Sequence, residues 1–445
     1  MGNPRSPHGF WCVPTREGEY HKAPIFRQAQ GEGLWPSPPV RDKAVKLWNS
    51  PGARFQGEGR DMVSRRLVLG GGAGLLAVGG AALAYPLYLQ LFPPIAETGF
   101  SLSEEELARA ISFLAQNPAI DTHAHPGRTF VTGAENLAWK LKIFQSIGTF
   151  EDRVVEEMIT GGLSAASFSA VSDFPVLDTA GNGLASTREF AHGEAWAYYQ
   201  AQMDNLKALV ERELVYPVLE PGDIALARAS GRPGAIFAVE GADFIESNLA
   251  RVQNAWDDGV RIVTFVHFVK GGVLGDVMTA EPVHGGMSAV GRGAFVEMQR
   301  VGIMVDLSHA AEKTAFDALA LASKPVVATH THIITPELTH PRFISKELAQ
   351  GIVETGGFIA AWPAGIGMTT LNGYLDRIEQ MVDVLGPDGV ALGTDMDSNY
   401  KPVWSTYLHL PLVVGGLLKR GVAEDTVAKI IGGNFMRVFE AVQAS

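Results

Sequence analysis

Ala119-Ile120-Asp121-Thr122-His123-Ala124-His125 is a short apolar run that stops in two histidines two residues apart. The same figure recurs down the chain, in Ile236-Phe237-Ala238-Val239-Glu240, Val263-Thr264-Phe265-Val266-His267 and Met304-Val305-Asp306-Leu307-Ser308-His309. It returns in Val326-Val327-Ala328-Thr329-His330-Thr331-His332 and in Ala391-Leu392-Gly393-Thr394-Asp395. Short runs rich in Val, Ile and Phe read as buried parallel strands. Reactive groups placed just past the carboxyl ends of such strands are the arrangement of the top face of a (β/α)8 barrel. One histidine in such a place reads as a core or cap residue. Six of them, with Glu240 and Asp395, read as a metal site.

Eight strands are expected, at 119–124, 165–172, 234–240, 260–267, 302–308, 325–330, 357–362 and 389–395. Helices are expected between them at 136–160, 188–214, 246–258, 291–300, 311–322, 345–355 and 372–386, with a closing helix from Asn434 to Val442. Ser103 followed by Glu106 is a capping-box start for a helix that ends near Asn117-Pro118 and leads into the first strand. Eightfold alternation of strand and helix points to an α/β fold of the (β/α)8 TIM-barrel type rather than an open doubly wound sheet. A barrel takes about 250 residues, more with insertions, so residues 97–445 hold one with an elaborated top face. No Gly-x-Gly-x-x-Gly follows a strand in a way that suggests a nucleotide, and no Gly-x-Ser-x-Gly elbow is present.

The net charge of −12 argues against nucleic acid and anionic membrane surfaces as general partners. The single cysteine, Cys12, excludes an internal disulfide and thiolate-rich zinc sites, so histidines and carboxylates must carry any metal. Ser64-Arg65-Arg66 opens a stretch without charge from Leu67 to Ala96, with Ala82-Leu83-Ala84 as a possible cleavage site. Residues 62–96 therefore read as a twin-arginine-like export signal or, alternatively, as a membrane anchor through 67–92. Either expectation places the folded part outside the cytoplasm, periplasmic or extracytoplasmic. Residues 1–61, rich in Pro, Gly and Arg and lacking hydrophobic periodicity, read as a disordered or mis-annotated extension before a start at Met62, or as a cytoplasmic tail.

His123 and His125, two apart on extended backbone, point to the same side and can reach one ion. Asp121 shares that side and reads as support. Glu240 ends the third strand and, having two oxygens, can bridge two cations; capping the next helix is the other reading. His309 and His330 are placed to hold a second ion, and His332 is a ligand, a supporting group or a rim residue. His267 is a candidate to polarise a substrate carbonyl, or simply a strand-end histidine. Asp395 is the candidate proton carrier, with Asp397 as an orienting neighbour. Arg342, in His340-Pro341-Arg342, suits capture of a carboxylate, or is a solvated loop residue.

The stretch Gly291-Arg292, then Met298-Gln299-Arg300-Val301-Gly302 through Asp306-Leu307-Ser308-His309, resembles the membrane (renal) dipeptidase family of zinc metallopeptidases. Gly161-Gly162-Leu163 with Phe168-Ser169, Glu240-Gly241, Gly259-Val260-Arg261 with His267, His340-Pro341-Arg342 and Gly393-Thr394-Asp395-Met396-Asp397 extend the resemblance over residues 105–440. It implies two zinc ions bridged by Glu240, one shared with His123 and His125 and the other with His309 and His330. It further implies a hydroxide between the ions as nucleophile, His267 at the oxyanion, Asp395 passing the proton to the departing amine, and Arg342 on the terminal carboxylate. Two positions depart from the pattern. The first strand carries His-x-His where the family has His-x-Asp, and Asp395-Met396-Asp397-Ser398 replaces Asp-Phe-Asp-Gly. The leading expectation is a binuclear zinc hydrolase of dipeptides. The alternatives are a hydrolase of N-acyl amino acids, lactones or other small amides, and a degenerate envelope binding protein. A homodimer is a further expectation.

Overall fold

A computed structural model describes residues 96–180 and 183–444. Cys12, the upstream extension and all but the last residue of the segment read as a signal or anchor lie outside the described residues. Among the described residues no helix is long and apolar enough to cross a membrane.

Eight strands form one parallel sheet in chain order: β1 (Ile120–Asp121), β2 (Ala165–Val171), β3 (Gly234–Glu240), β4 (Val260–Thr264), β5 (Met304–Asp306), β6 (Val326–Thr331), β7 (Ile359–Ala361) and β8 (Val390–Leu392). Every expected strand is present. Tyr216–Pro217 adds a short parallel pairing at the start of β3. The ring closes between β8 and β1, where Thr122 N donates to Leu392 O at 2.9 Å, Asp395 N to His123 O at 2.7 Å and His125 N to Met396 O at 2.9 Å. Closure removes the exposed edges that an open sheet would leave.

Strand periodicity sorts the side chains. Ile236 and Ala238 face one way and cluster with Ile120, Ile262, Met304, Val327, Ala360 and Ala391, and with Phe435, Val438 and Phe439 of the closing helix Asn434–Gln443. That helix plugs the bottom of the ring, its Asn434 Nδ2 donating to Pro387 O and Val390 O, both at 2.8 Å. The opposite set, including Phe237, Val239, Val263 and Val305, packs outward against the surrounding helices. Glu240 has the inward parity, so the strand that buries Ile236 and Ala238 in the lumen must aim this carboxylate into its top.

The first helix, Glu104–Gln116, begins with the expected capping box at Ser103 and Glu106. The helix expected over 136–160 is instead two, Leu141–Ile147 and Glu151–Gly161. Gly148 at φ 79° breaks it, and Phe150 N turns back to Gly127 O. After β2 the chain makes an antiparallel hairpin, Leu177–Ala180 with Gly183–Ser186, which was not anticipated. The dipeptide Asn182-Gly183 was the available hairpin signal.

Gly393, just past β8, has no room for a side chain: a Cβ there would lie 1.7 Å from Thr329 O and 2.9 Å from Thr122 Oγ1. Gly393→Ala should therefore force the β8 end off its neighbours and cost at least the roughly 1–3 kcal/mol typical of overpacking. A denaturant melt that leaves the midpoint unchanged would show that the strand ends can shift freely.

Candidate metal centre

Five imidazoles from four strand ends converge on one carboxylate. Glu240 is buried, and its Oε1 lies 3.2 Å from His123 Nε2, 3.2 Å from His309 Nε2 and 3.4 Å from His330 Nε2. Its Oε2 lies 3.3 Å from both His125 Nε2 and His267 Nε2. Gly241 makes the approach possible: it sits at φ 83°, and a Cβ would meet Ser172 Oγ at 2.9 Å and His267 Cβ at 3.2 Å. The imidazoles also crowd one another, His123 Nε2 and His125 Nε2 at 3.3 Å, His309 Nε2 and His330 Nε2 at 2.9 Å. Asp395 Oδ1 stands 3.4 Å from His125 Nε2. It is held there by a left-handed backbone (φ 53°) that a non-glycine residue adopts at a cost.

Three of the rings have their tautomer set from behind. His125 Nδ1 faces Ser169 O at 3.0 Å, and a carbonyl can only accept, so Nδ1 carries the proton. Thr329 Oγ1 donates to Asp306 Oδ2 at 2.8 Å, which leaves its oxygen to accept from His330 Nδ1 at 3.0 Å. His267 Nδ1 lies 2.7 Å from Asp173 Oδ1. In each case Nε2 is left facing Glu240. A ligating histidine typically has its other nitrogen occupied in this way.

Two buried aspartates lock the strand ends under these rings. Asp121 accepts from His123 N (3.2 Å), Thr394 N (2.9 Å), Thr394 Oγ1 and Tyr407 OH (2.8 Å), tying β1 to β8. Asp306 accepts from Thr264 Oγ1 (2.6 Å), Ser308 N (3.0 Å) and Thr329 N (2.9 Å), tying β4, β5 and β6.

Burial alone would raise the Glu240 pKa, but the charges of His267 and His123 and the hydrogen bonds of His123 and His125 hold it well below the usual carboxylate range. For His125 burial works against protonation, yet hydrogen bonds to Asp395 and Glu240 raise it to about 10. His309 and His330 go the other way. Burial, then the charges of Arg342 and His267, lower His309 well below its ordinary value; burial, then His123, lowers His330 to about 4. The cluster thus calls for positive charge between its carboxylates but cannot protonate all its rings. Its donors, imidazole nitrogen and carboxylate oxygen without thiolate, suit a divalent cation. Donor atoms lie within 4.8 Å of one another in three groups that could hold one: His123, Glu240 and His330; His123, His125 and Asp395; Glu240, His267 and His309.

The remaining expected residues are placed as follows. Arg342 is not a solvated loop residue. It is buried over the Trp362 ring (5.2 Å to the centroid) and donates through Nη1 to Ser308 O, while its buried Nη2 has no protein partner. Asp397 accepts from Gly127 N at 2.7 Å, tying the loop after β1 to that after β8. His332 is buried against Phe343 and belongs to none of the three donor groups. Asp173 was missed, because a lone aspartate in Val171-Ser172-Asp173-Phe174-Pro175 carries no signal in the sequence.

The sequence model of the membrane dipeptidase family (peptidase family M19) matches residues 107–445. The chain belongs to this family of metallopeptidases and is a hydrolase. Among its relatives is dipeptidase verJ of Clonostachys rogersoniana, 26% identical over 365 residues that cover 77% of this chain and 89% of the relative. Dipeptidase tcpJ of Claviceps purpurea is 29% identical over 50% of this chain and 54% of its own length. Solved structures with the same fold include an amidohydrolase from Pseudomonas aeruginosa (TM-score 0.59, 24% identity, 76% of this chain and 99% of that one). Another is a metallopeptidase from Rhodobacter sphaeroides liganded with a phosphinate mimic of L-Ala-D-Ala (TM-score 0.60, 20% identity, 73% and 99%).

If Glu240 is the shared ligand of this cluster, its loss removes more than any supporting contact. Glu240→Ala should weaken metal affinity by more than the roughly 100-fold that can follow loss of an outer partner. Elemental analysis after dialysis against a graded chelator reads this directly; retention equal to that of the unaltered chain would remove Glu240 from the site.

Proposed function

We propose that the chain is a binuclear zinc hydrolase that cleaves the amide bond of dipeptides. The observation that carries this reading is the single buried carboxylate with imidazoles on both of its oxygens. His123 and His125 would hold one ion and His309 and His330 the other, with Glu240 between them. Bound there, the ions would supply Lewis acidity and lower the pKa of the attacking water.

The chain's own groups do the rest. His267 Nε2, facing the same space as Glu240 Oε2, would donate to the carbonyl oxygen as it gains charge. Asp395, beside His125, would take a proton from the water and release it to the departing amine. Arg342, fixed by Ser308 O and set over the Trp362 ring, keeps Nη2 free as a donor for the substrate's terminal carboxylate.

The test is zinc stoichiometry measured beside hydrolysis of a panel of L-L and L-D dipeptides. Two equivalents of zinc with turnover are expected. Two equivalents without turnover would direct the search to N-acyl amino acids and lactones. No bound metal in zinc excess would overturn the reading. Arg342→Ala should raise KM about 10- to 100-fold for a free dipeptide, the worth of a charged hydrogen bond of roughly 1.5–3 kcal/mol. The same substitution should change KM little for the C-terminally amidated dipeptide, and equal losses on both would mean that Arg342 only supports Ser308.

A further inference from the structure

Among the five imidazoles around Glu240, His267 alone meets a carboxylate at its far nitrogen. His125 meets a peptide carbonyl and His330 a hydroxyl, while the Nδ1 atoms of His123 and His309 have no protein partner. The carboxylate belongs to Asp173, which follows β2 and reaches past β3 to His267, three residues beyond the end of β4. Both of its oxygens are engaged: Oδ1 lies 2.7 Å from His267 Nδ1, and Oδ2 accepts from Phe268 N at 3.0 Å. The side chain is fully buried, and the Asp173 carbonyl accepts from Val176 N at 3.0 Å as the short 3-10 turn Phe174–Val176 begins. Neither the carboxylate nor its backbone can swing away.

Two other buried aspartates near the site, Asp121 and Asp306, are engaged differently. Both accept from backbone N–H groups and hydroxyls, which ties strand ends together. Asp173 is spent on an imidazole whose opposite nitrogen, Nε2, stands 3.3 Å from Glu240 Oε2. The ring is further confined between Phe268 (4.3 Å between centroids) and His309 (4.4 Å).

We propose that Asp173 is a positioning residue for the hydrolytic reaction: it accepts a hydrogen bond from the Nδ1–H of His267 and so fixes which nitrogen, in which direction, meets the substrate carbonyl. The role rests on the hydrolase reading above and deepens it. A carboxylate does this better than a neutral acceptor, because a hydrogen bond to an ionised partner is shorter and about twice as strong. It also stabilises positive charge on a ring that donates from its other nitrogen, the part an aspartate plays behind a catalytic histidine elsewhere.

The test uses the full-length, zinc-loaded chain and its Asp173→Asn, Asp173→Ala, His267→Ala and doubly substituted (Asp173→Ala, His267→Ala) forms. Histidine ring 15N NMR, with the His267 signals assigned from their absence in His267→Ala, should show Nδ1 protonated in the parent and that signature lost in Asp173→Ala. Asp173→Ala should lower kcat about 10- to 100-fold with KM nearly unchanged. Adding it to His267→Ala should cost nothing further. Asp173→Asn, which preserves shape, should fall between the parent and Asp173→Ala; it stands in if the alanine form does not fold by circular dichroism. A parent ring with Nδ1 unprotonated would overturn the proposal, as would a loss of kcat equally large in the His267→Ala background. Should the parent cleave no dipeptide or amide, the hydrolase reading fails by itself, and the ring signature still decides whether Asp173 sets His267.

Discussion

A carboxylate buried at the top of a barrel constrains everything around it. Placing an isolated charge in a low-dielectric interior costs several kcal/mol even after relaxation, and among the described residues no lysine or arginine forms an ion pair with Glu240. Its partners are imidazoles, which compensate only when they carry charge. Five rings within 3.4 Å of it cannot all do so, because each protonated ring disfavours the next. A divalent cation bound there would resolve the conflict, bringing the charge while leaving the rings neutral. Metal binding and the stability of this end of the barrel are then one equilibrium.

That requirement explains where the fold is rigid. A cluster drawn from the ends of β1, β3, β4, β5 and β6 tolerates little relative motion of those strands. Asp306 stitches β4, β5 and β6 together beneath the rings, and Asp121 does the same for β1 and β8 across the closing seam. The seam itself carries the site: Asp395 N donates to His123 O, and His125 N to Met396 O. Closing the barrel and bringing the β1 histidines to Asp395 are therefore a single event. The bottom of the barrel, filled by Phe435 and Phe439, is apolar and holds the lower halves of the same strands in register.

Much of this was legible from residue order. Strands buried on both faces appear as short apolar runs, and Glu240, His267, His309 and His330 lie at or just past the ends of such runs. Helix ends were less legible where a glycine interrupts good helix formers, as at Gly148. What periodicity could not show is a contact between loops far apart in sequence. Asp173 and His267 are 94 residues apart and Arg342 lies 34 residues from Ser308. Neither pairing leaves a trace in local composition, so Arg342 could equally have been a surface residue, and Asp173 attracted no attention.

The first-strand histidine bears on whether this centre is intact. The resemblance read from the sequence would put an aspartate where His125 stands, and a carboxylate there would only accept hydrogen bonds. Behind the ring is Ser169 O, another acceptor, 3.0 Å from Nδ1. An aspartate facing that carbonyl would meet repulsion or leave it unsatisfied, whereas an imidazole donates to it and turns Nε2 inward. The backbone of β2 is thus matched to the ring and not to a carboxylate. The anionic charge given up at position 125 is partly made good by Asp395, whose Oδ1 reaches 3.4 Å from His125 Nε2. If two ions bind as proposed, the exchange would leave them in a less negative cage and make a water they share more acidic.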